Sequence, residues 1–236
     1  MVARKIKMEL PLYKHLGELR KRIIVIALFL FIFSLIGFCF SGLVMKVVIN
    51  NLVVENVKIV GLSPIEYVSA KIKISLLIGF LITTPLIIYE AIVFIFPGLS
   101  SRERKAIMLV LPSFILLFLA GVCFSYFIFL PLAISFLGNL GKGVIENMWS
   151  INKLISFVVY TCALFGCIFQ LPLLLLLLQK LNILNIKILK KYRAHIYVGI
   201  FIVSAIVTPP DVVTQLGIAL PIILLYEGSL LLAKIL

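Results

Sequence analysis

The chain has 236 residues, of which 63% are hydrophobic and only 13% charged. Soluble domains carry about a quarter charged residues, so this composition excludes an ordinary water-soluble enzyme or binding module. The formal net charge of +13 invites a nucleic-acid reading, but the Lys and Arg lie in short segments between apolar runs, as membrane topology produces.

The chain opens on a basic arm that ends in His15-Leu16-Gly17-Glu18-Leu19-Arg20-Lys21-Arg22, and residues 23–45 then carry no charge. Six spans are predicted, at about 23–45, 72–96, 106–130, 154–178, 194–207 and 212–233, in an all-α membrane fold forming a single domain over 1–236. At 1.5 Å per residue the first four cover a hydrocarbon core of about 30 Å. The fifth, near 14 residues and about 21 Å, is too short to cross unaided. Four spans plus a re-entrant hairpin is therefore the alternative, and it leaves the termini on the same side. The first span is too long for a signal-peptide core and lacks a small-residue cleavage site, so it is expected to be retained.

With the N-terminus inside, 16 of the 22 Lys and Arg fall in inner segments and 6 in outer ones. That bias places both termini in the cytoplasm. In the first outer loop, about 46–71, Ser63-Pro64-Ile65-Glu66 predicts a capping box: Ser at N-cap, Pro64 at the first helical position, Glu66 reaching back. The second outer loop, about 131–153, is rich in Gly and Asn and holds the single tryptophan, Trp149, an interfacial anchor. In Thr208-Pro209-Pro210-Asp211 the prolines end the fifth helix and Asp211 is placed to cap the sixth.

A few polar groups could carry function. Glu18 and Glu103 both stand among arginines and lysines on the inner side, and a carboxylate can take a guanidinium through two parallel bonds. The competing structural readings are an i,i+4 pair of Glu18 with Lys14 or Arg22, and a capping box of Glu103 with Ser100. Gln170 lies about 25 Å along the fourth helix from Leu154, and Pro172 frees the Ile168 carbonyl beside it. A helix–helix hydrogen bond is its structural reading; a lined cavity or a docking point is the functional one. Glu90 and Glu227 sit in the inner parts of spans and must be protonated, paired or facing water. Tyr126 is a possible hydrogen-bond partner within the third span. His15 and His195 read as interfacial or loop residues, and Cys39, Cys123, Cys162 and Cys167 as small hydrophobes. No nucleophile–base pair or metal-ligand spacing is present, so no enzyme, metal or cofactor is expected.

Several of these stretches coincide with one family. His15 to Arg22, Ser63-Pro64-Ile65-Glu66, and Phe94-Ile95-Phe96-Pro97-Gly98-Leu99 with Glu103-Arg104 are joined by Gly121 to Phe127 with Pro131. Phe165 to Pro172, Ala205 to Asp211 and Leu225-Tyr226-Glu227 complete the set. With these seven motifs in order, the chain resembles the TatC family, the multi-spanning subunits of the twin-arginine protein translocase. The resemblance implies a cupped bundle of six helices with short fifth and sixth helices, in the cell membrane. It implies that Glu18, Glu103, Arg20 and Phe96 receive the twin-arginine signal peptides of folded cargo. Gln170 and Tyr126 would serve TatA/TatB-type single-span partners or act as intramembrane polar groups, and Pro64, Glu66 and Asp211 would belong to structural or functional loops. A homo-oligomer within a complex driven by the proton-motive force, without nucleic acid, is implied as well. Two positions depart from the family: Glu90 where Gln is usual, and Gln170 where many members carry Glu. The rival reading is a small secondary transporter with Gln170, Glu90 and Glu227 lining a path, which usually brings an internal repeat; none is evident.

Overall fold

The structure, a computed structural model, describes residues 12–54, 57–95, 101–140, 142, 146–180, 186–208 and 211–235. Within them it describes all side chains except those of 12–15, 95, 101–107, 109–110, 180, 186–187 and 232–235.

Helix α1 (Leu12–Leu52) is 41 residues long, extending the predicted first span at both ends. At 1.5 Å per residue it is about 61 Å long, so both ends project beyond a bilayer core. The strand β1 (Val57–Val60) leads to α2 (Pro64–Ile95), which has Pro64 as its first residue and Pro85 inside. The third span is continuous from α3 (Ser101–Phe124) through a π turn (Ser125–Phe129) into α4 (Leu130–Asn139). It therefore runs past the predicted end at 130. Proline 131, at the start of α4, donates no N–H and crowds the carbonyl one turn back. The widened turn absorbs this, with the Leu130 N–H bonded to the Ser125 carbonyl.

The strand β2 (Asn147–Ser150) pairs with β1 in parallel, Val57 opposite Asn147 and Val60 opposite Ser150. Neither strand was expected: the first loop was read as a helix cap and the second as a Gly- and Asn-rich loop with an interfacial Trp149. The pairing is parallel because each strand feeds a helix entering the membrane in the same direction. Those helices, α2 and α5 (Ile151–Ile168), pack together. The predicted fourth span is not one helix: α5 stops at Ile168, and α6 (Leu171–Lys180) starts beyond Phe169 and Gln170. Proline 172 stands at the break, and its nitrogen leaves the Ile168 carbonyl without an intrahelical partner. A short α7 (Ile186–Lys191) is followed by α8 (Arg193–Val207, 15 residues) and α9 (Val212–Ile235, 24 residues, Pro221 inside).

Among the described residues, five helical stretches are long and apolar enough to cross a membrane, and α8 is a shorter apolar helix beside them. The last two spans are the shortest, yet only α8 falls below crossing length. The chain is thus an all-α, polytopic membrane protein. Its core centres on α5, where Ile155 and Phe165 are fully buried against Leu130 and Ile134 of α4, Ile218 of α9 and Ala70 of α2. By contrast α1 has 6% of its apolar window buried, so it stands at the rim. Two glycines let helices touch. A Cβ on Gly79 of α2 would lie 2.2 Å from Ser34 Oγ of α1, and one on Gly121 of α3 would lie 2.4 Å from the Phe165 carbonyl of α5.

Candidate functional site

The beginning of α1, the end of α2 and the beginning of α3 share one end of the bundle, because α1, α2 and α3 run antiparallel in turn. Most Lys and Arg among the described residues lie at this end, here termed the basic end. Glu18 stands near the start of α1, half-buried. One turn later Arg22 reaches across to α2, where its Nη1 donates to Glu90 Oε2. The pair is largely enclosed, with side chains 23% and 15% exposed. Among the described residues, no hydrogen bond or ion pair involves Glu18. The pairing of Glu18 with Arg22 weighed from spacing is thus replaced by Arg22–Glu90, and the Lys14 side chain lies outside the described residues. The Nε of Arg22 is buried and has no partner among the described residues, so the guanidinium is held by one prong.

Glu103 falls in the first turn of α3, at this same end, but its side chain lies outside the described residues, as do Phe96 and Ser100. Arg20 is exposed and makes no ion pair among the described residues. A second carboxylate is held by arginine between the last two helices. Arg193 Nη2 of α8 donates to Glu227 Oε2 of α9 at 2.5 Å, and the Tyr197 hydroxyl donates to Oε1 at 2.6 Å. Both intramembrane acids therefore take the paired option. From sequence Arg22 was read as a topology charge or an i,i+4 partner of Glu18, and Arg193 as a topology charge. Their depth was the available clue: each stands at the inner edge of a span whose antiparallel neighbour carries a Glu at similar depth.

Gln170 sits in the α5–α6 break, and its Nε2 donates to the Phe114 carbonyl of α3 at 3.0 Å. This is the helix–helix bond of its structural reading. Its Oε1 is buried with no partner among the described residues. Next to the break lies an apolar cavity of about 380 Å³ lined by Phe124, Phe169, Pro172, Pro221, Leu225 and Gly228, among others. Tyr126 lies in the π turn and its hydroxyl accepts from Asn51 Nδ2 at 3.3 Å, tying α1 to the third span.

At the opposite end Glu66 joins two helix starts. Its Oε2 accepts the Leu62 N–H at 3.0 Å, so the carboxylate reaches back past Ser63, and the expected reciprocal capping box is not formed as drawn. Its Oε1 accepts the Ser150 hydroxyl at 2.9 Å, while Ser150 Oγ accepts the Lys153 N–H at the head of α5. One layer deeper, Lys73 donates to Asn152 Oδ1 at 2.6 Å and Ser156 Oγ at 2.7 Å, a cluster sequence reasoning missed. Asp211 Oδ1 accepts the Thr214 N–H at 2.7 Å at the head of α9. Among the described residues no group of His, Cys, Asp and Glu has the geometry to hold a metal ion.

The comparisons agree with this architecture. A sequence model of the Sec-independent protein translocase protein TatC matches residues 14–221. The chain is 39% identical over 230 residues to the Sec-independent protein translocase protein TatC of Aquifex aeolicus, covering 96% of this chain and 95% of that protein. It is 34% identical to the protein of that name from Carboxydothermus hydrogenoformans, covering 95% and 93%. A crystal structure of the twin-arginine translocase receptor TatC superposes with a TM-score of 0.86 at 38% identity, over 94% of this chain and 98% of that one. On the match across nearly its whole length, in sequence and in helix arrangement, the chain belongs to the TatC family of Sec-independent protein translocases.

Proposed function

We propose that this chain is the receptor and assembly core of a twin-arginine translocase, binding the signal peptides of folded cargo at its basic end. The observation that carries the reading is Glu18. It is a half-buried carboxylate at the rim of a membrane bundle with no ion pair among the described residues, in a chain that superposes on a solved twin-arginine translocase receptor. A guanidinium offers such a carboxylate two parallel charge-assisted bonds. Glu103, with Arg20 and Phe96 nearby in sequence, completes the receiving surface. The whole of 1–236 acts as one membrane domain in the cell membrane, with both termini in the cytoplasm, following the distribution of Lys and Arg.

Single-span TatA/TatB-type partners dock where Gln170 leaves an acceptor unmet beside an apolar cavity. Tyr126 holds the third span to α1 for that assembly, and Pro64, Glu66 and Asp211 set the loops of the opposite face. The chain works in a homo-oligomeric complex driven by the proton-motive force, performing no catalytic step and using no cofactor or nucleic acid. The transporter reading loses ground because Glu90, Glu227 and Gln170 each bond a neighbouring helix or side chain rather than standing open along a path.

The test is peptide binding to the full chain in nanodiscs. Glu18→Gln or Glu103→Gln should weaken binding of a peptide with consecutive arginines by about tenfold or more, and a twin-lysine peptide should bind wild type far less well. Undiminished binding by both variants overturns the reading.

A further inference from the structure

The Arg22–Glu90 pair carries an inference that rests on the receptor reading and deepens it. Arg22 presents to Glu90 the same chemical group that an incoming arginine would present. It does so incompletely: one nitrogen touches one carboxylate oxygen, and its Nε is buried with no partner among the described residues. Glu90 Oε1 makes no hydrogen bond among the described residues. A fork-on-fork arrangement with two parallel bonds is the stronger way to join these groups, and this pair does not adopt it. Glu18 stands one turn before Arg22 on the same face of α1, so the three groups form a row of carboxylate, guanidinium and carboxylate running from the basic end into the bundle.

The geometry points to Glu90 as a further acceptor for the peptide's arginines, with Arg22 as a resident arginine that occupies it until displaced. Exchange of one guanidinium for another leaves the enclosed carboxylate paired at the start and at the end, and the bare carboxylate, the costly state for a buried ion pair, is only transient. A site occupied by its own competitor binds its ligand with an affinity lowered by the fraction of time it is vacant. Arg22 therefore makes the receptor release as well as capture, and Glu90 makes it prefer arginine over lysine, since lysine cannot supply the second parallel bond. Lys21, the neighbouring exposed cation, stands on another face of α1 and serves as the charge control.

The experiment measures binding of a synthetic Arg-Arg signal peptide and its Lys-Lys counterpart to the full chain in nanodiscs. Arg22→Gln should tighten Arg-Arg binding by about tenfold, as expected if Arg22 holds Glu90 about nine-tenths of the time. Arg22→Lys, which keeps the charge and removes the fork, should give a smaller gain. Lys21→Gln should change little, and the Lys-Lys peptide should gain little in any variant. In the Arg22→Gln/Glu90→Gln double variant the gain should vanish. A gain that survives Glu90→Gln is charge removal alone and overturns the inference, as does the absence of a gain in both Arg22 variants while Glu18→Gln still weakens binding. If Glu18→Gln and Glu103→Gln both bind like wild type, the receptor reading itself falls, and this inference with it.

Discussion

The two ends of the bundle hold their charges by different means. At the basic end, carboxylates on α2 and α9 are gripped by arginines, Glu90 by Arg22 and Glu227 by Arg193. At the opposite end, Glu66 is held by a backbone amide and a serine hydroxyl, and Lys73 by an asparagine and a serine. Ion pairs at the first end join helices within the membrane's own depth. Neutral partners at the second order the starts of α2 and α5 around a four-residue parallel ribbon, and the Lys58–Glu146 ion pair there lies exposed to solvent. The difference is functional as well as structural: a guanidinium already resident is exchangeable for another, whereas a capped helix start has nothing to exchange.

Cutting one partner from each kind of contact breaks the comparison most directly. Glu90→Leu leaves Arg22 charged and enclosed, and should destabilise the bundle by about 3–5 kcal/mol. A fall in the thermal unfolding midpoint in detergent would report it, and Arg22→Met/Glu90→Leu should recover most of the loss, because an apolar pair needs no compensation. At the other end Ser150→Ala removes a helix cap and one hydrogen bond to Glu66, a loss of about 1 kcal/mol. Equal losses at the two ends would erase the distinction. The smallest effect belongs to Glu146→Gln. Its pair with Lys58 spans 3.1 Å but leaves the side chains 67% and 73% exposed, so stability should change by less than about 0.5 kcal/mol.

Much of the architecture was legible because a bilayer asks only for length and apolarity. The charge-free run from Ile23, the basic clusters and Pro64 marked the first four spans, while the short fifth left six spans and four plus a re-entrant hairpin as alternatives. The ends of the helices were not legible in the same way. Residues 12–22 and 46–52 continue α1 with charged and amide side chains among the apolar ones, since a helix beyond the hydrocarbon core satisfies its own backbone bonds. The candidate site was half legible. Glu18 and Glu103 stood out as acids among cations, while Arg22 did not, because its partner is 68 residues away.

By itself the sequence determined that this is a multi-span helical membrane chain and which segments gather the positive charge, for these follow from local composition. Pro172 marked a freed carbonyl at Ile168, but the helix break there was decided by the fold, since Pro85, Pro112 and Pro221 lie inside unbroken helices. Tertiary structure alone decided which polar group meets which: Arg22 with Glu90, Lys73 with Asn152, Glu66 with Ser150, and β1 with β2. The physical reason is that a span such as α2 scatters its few polar groups around its circumference, with no single polar face to announce a neighbour. The register of one helix against another is then set where backbones can approach, as at Gly79 and Gly121, and that is a property of two helices together.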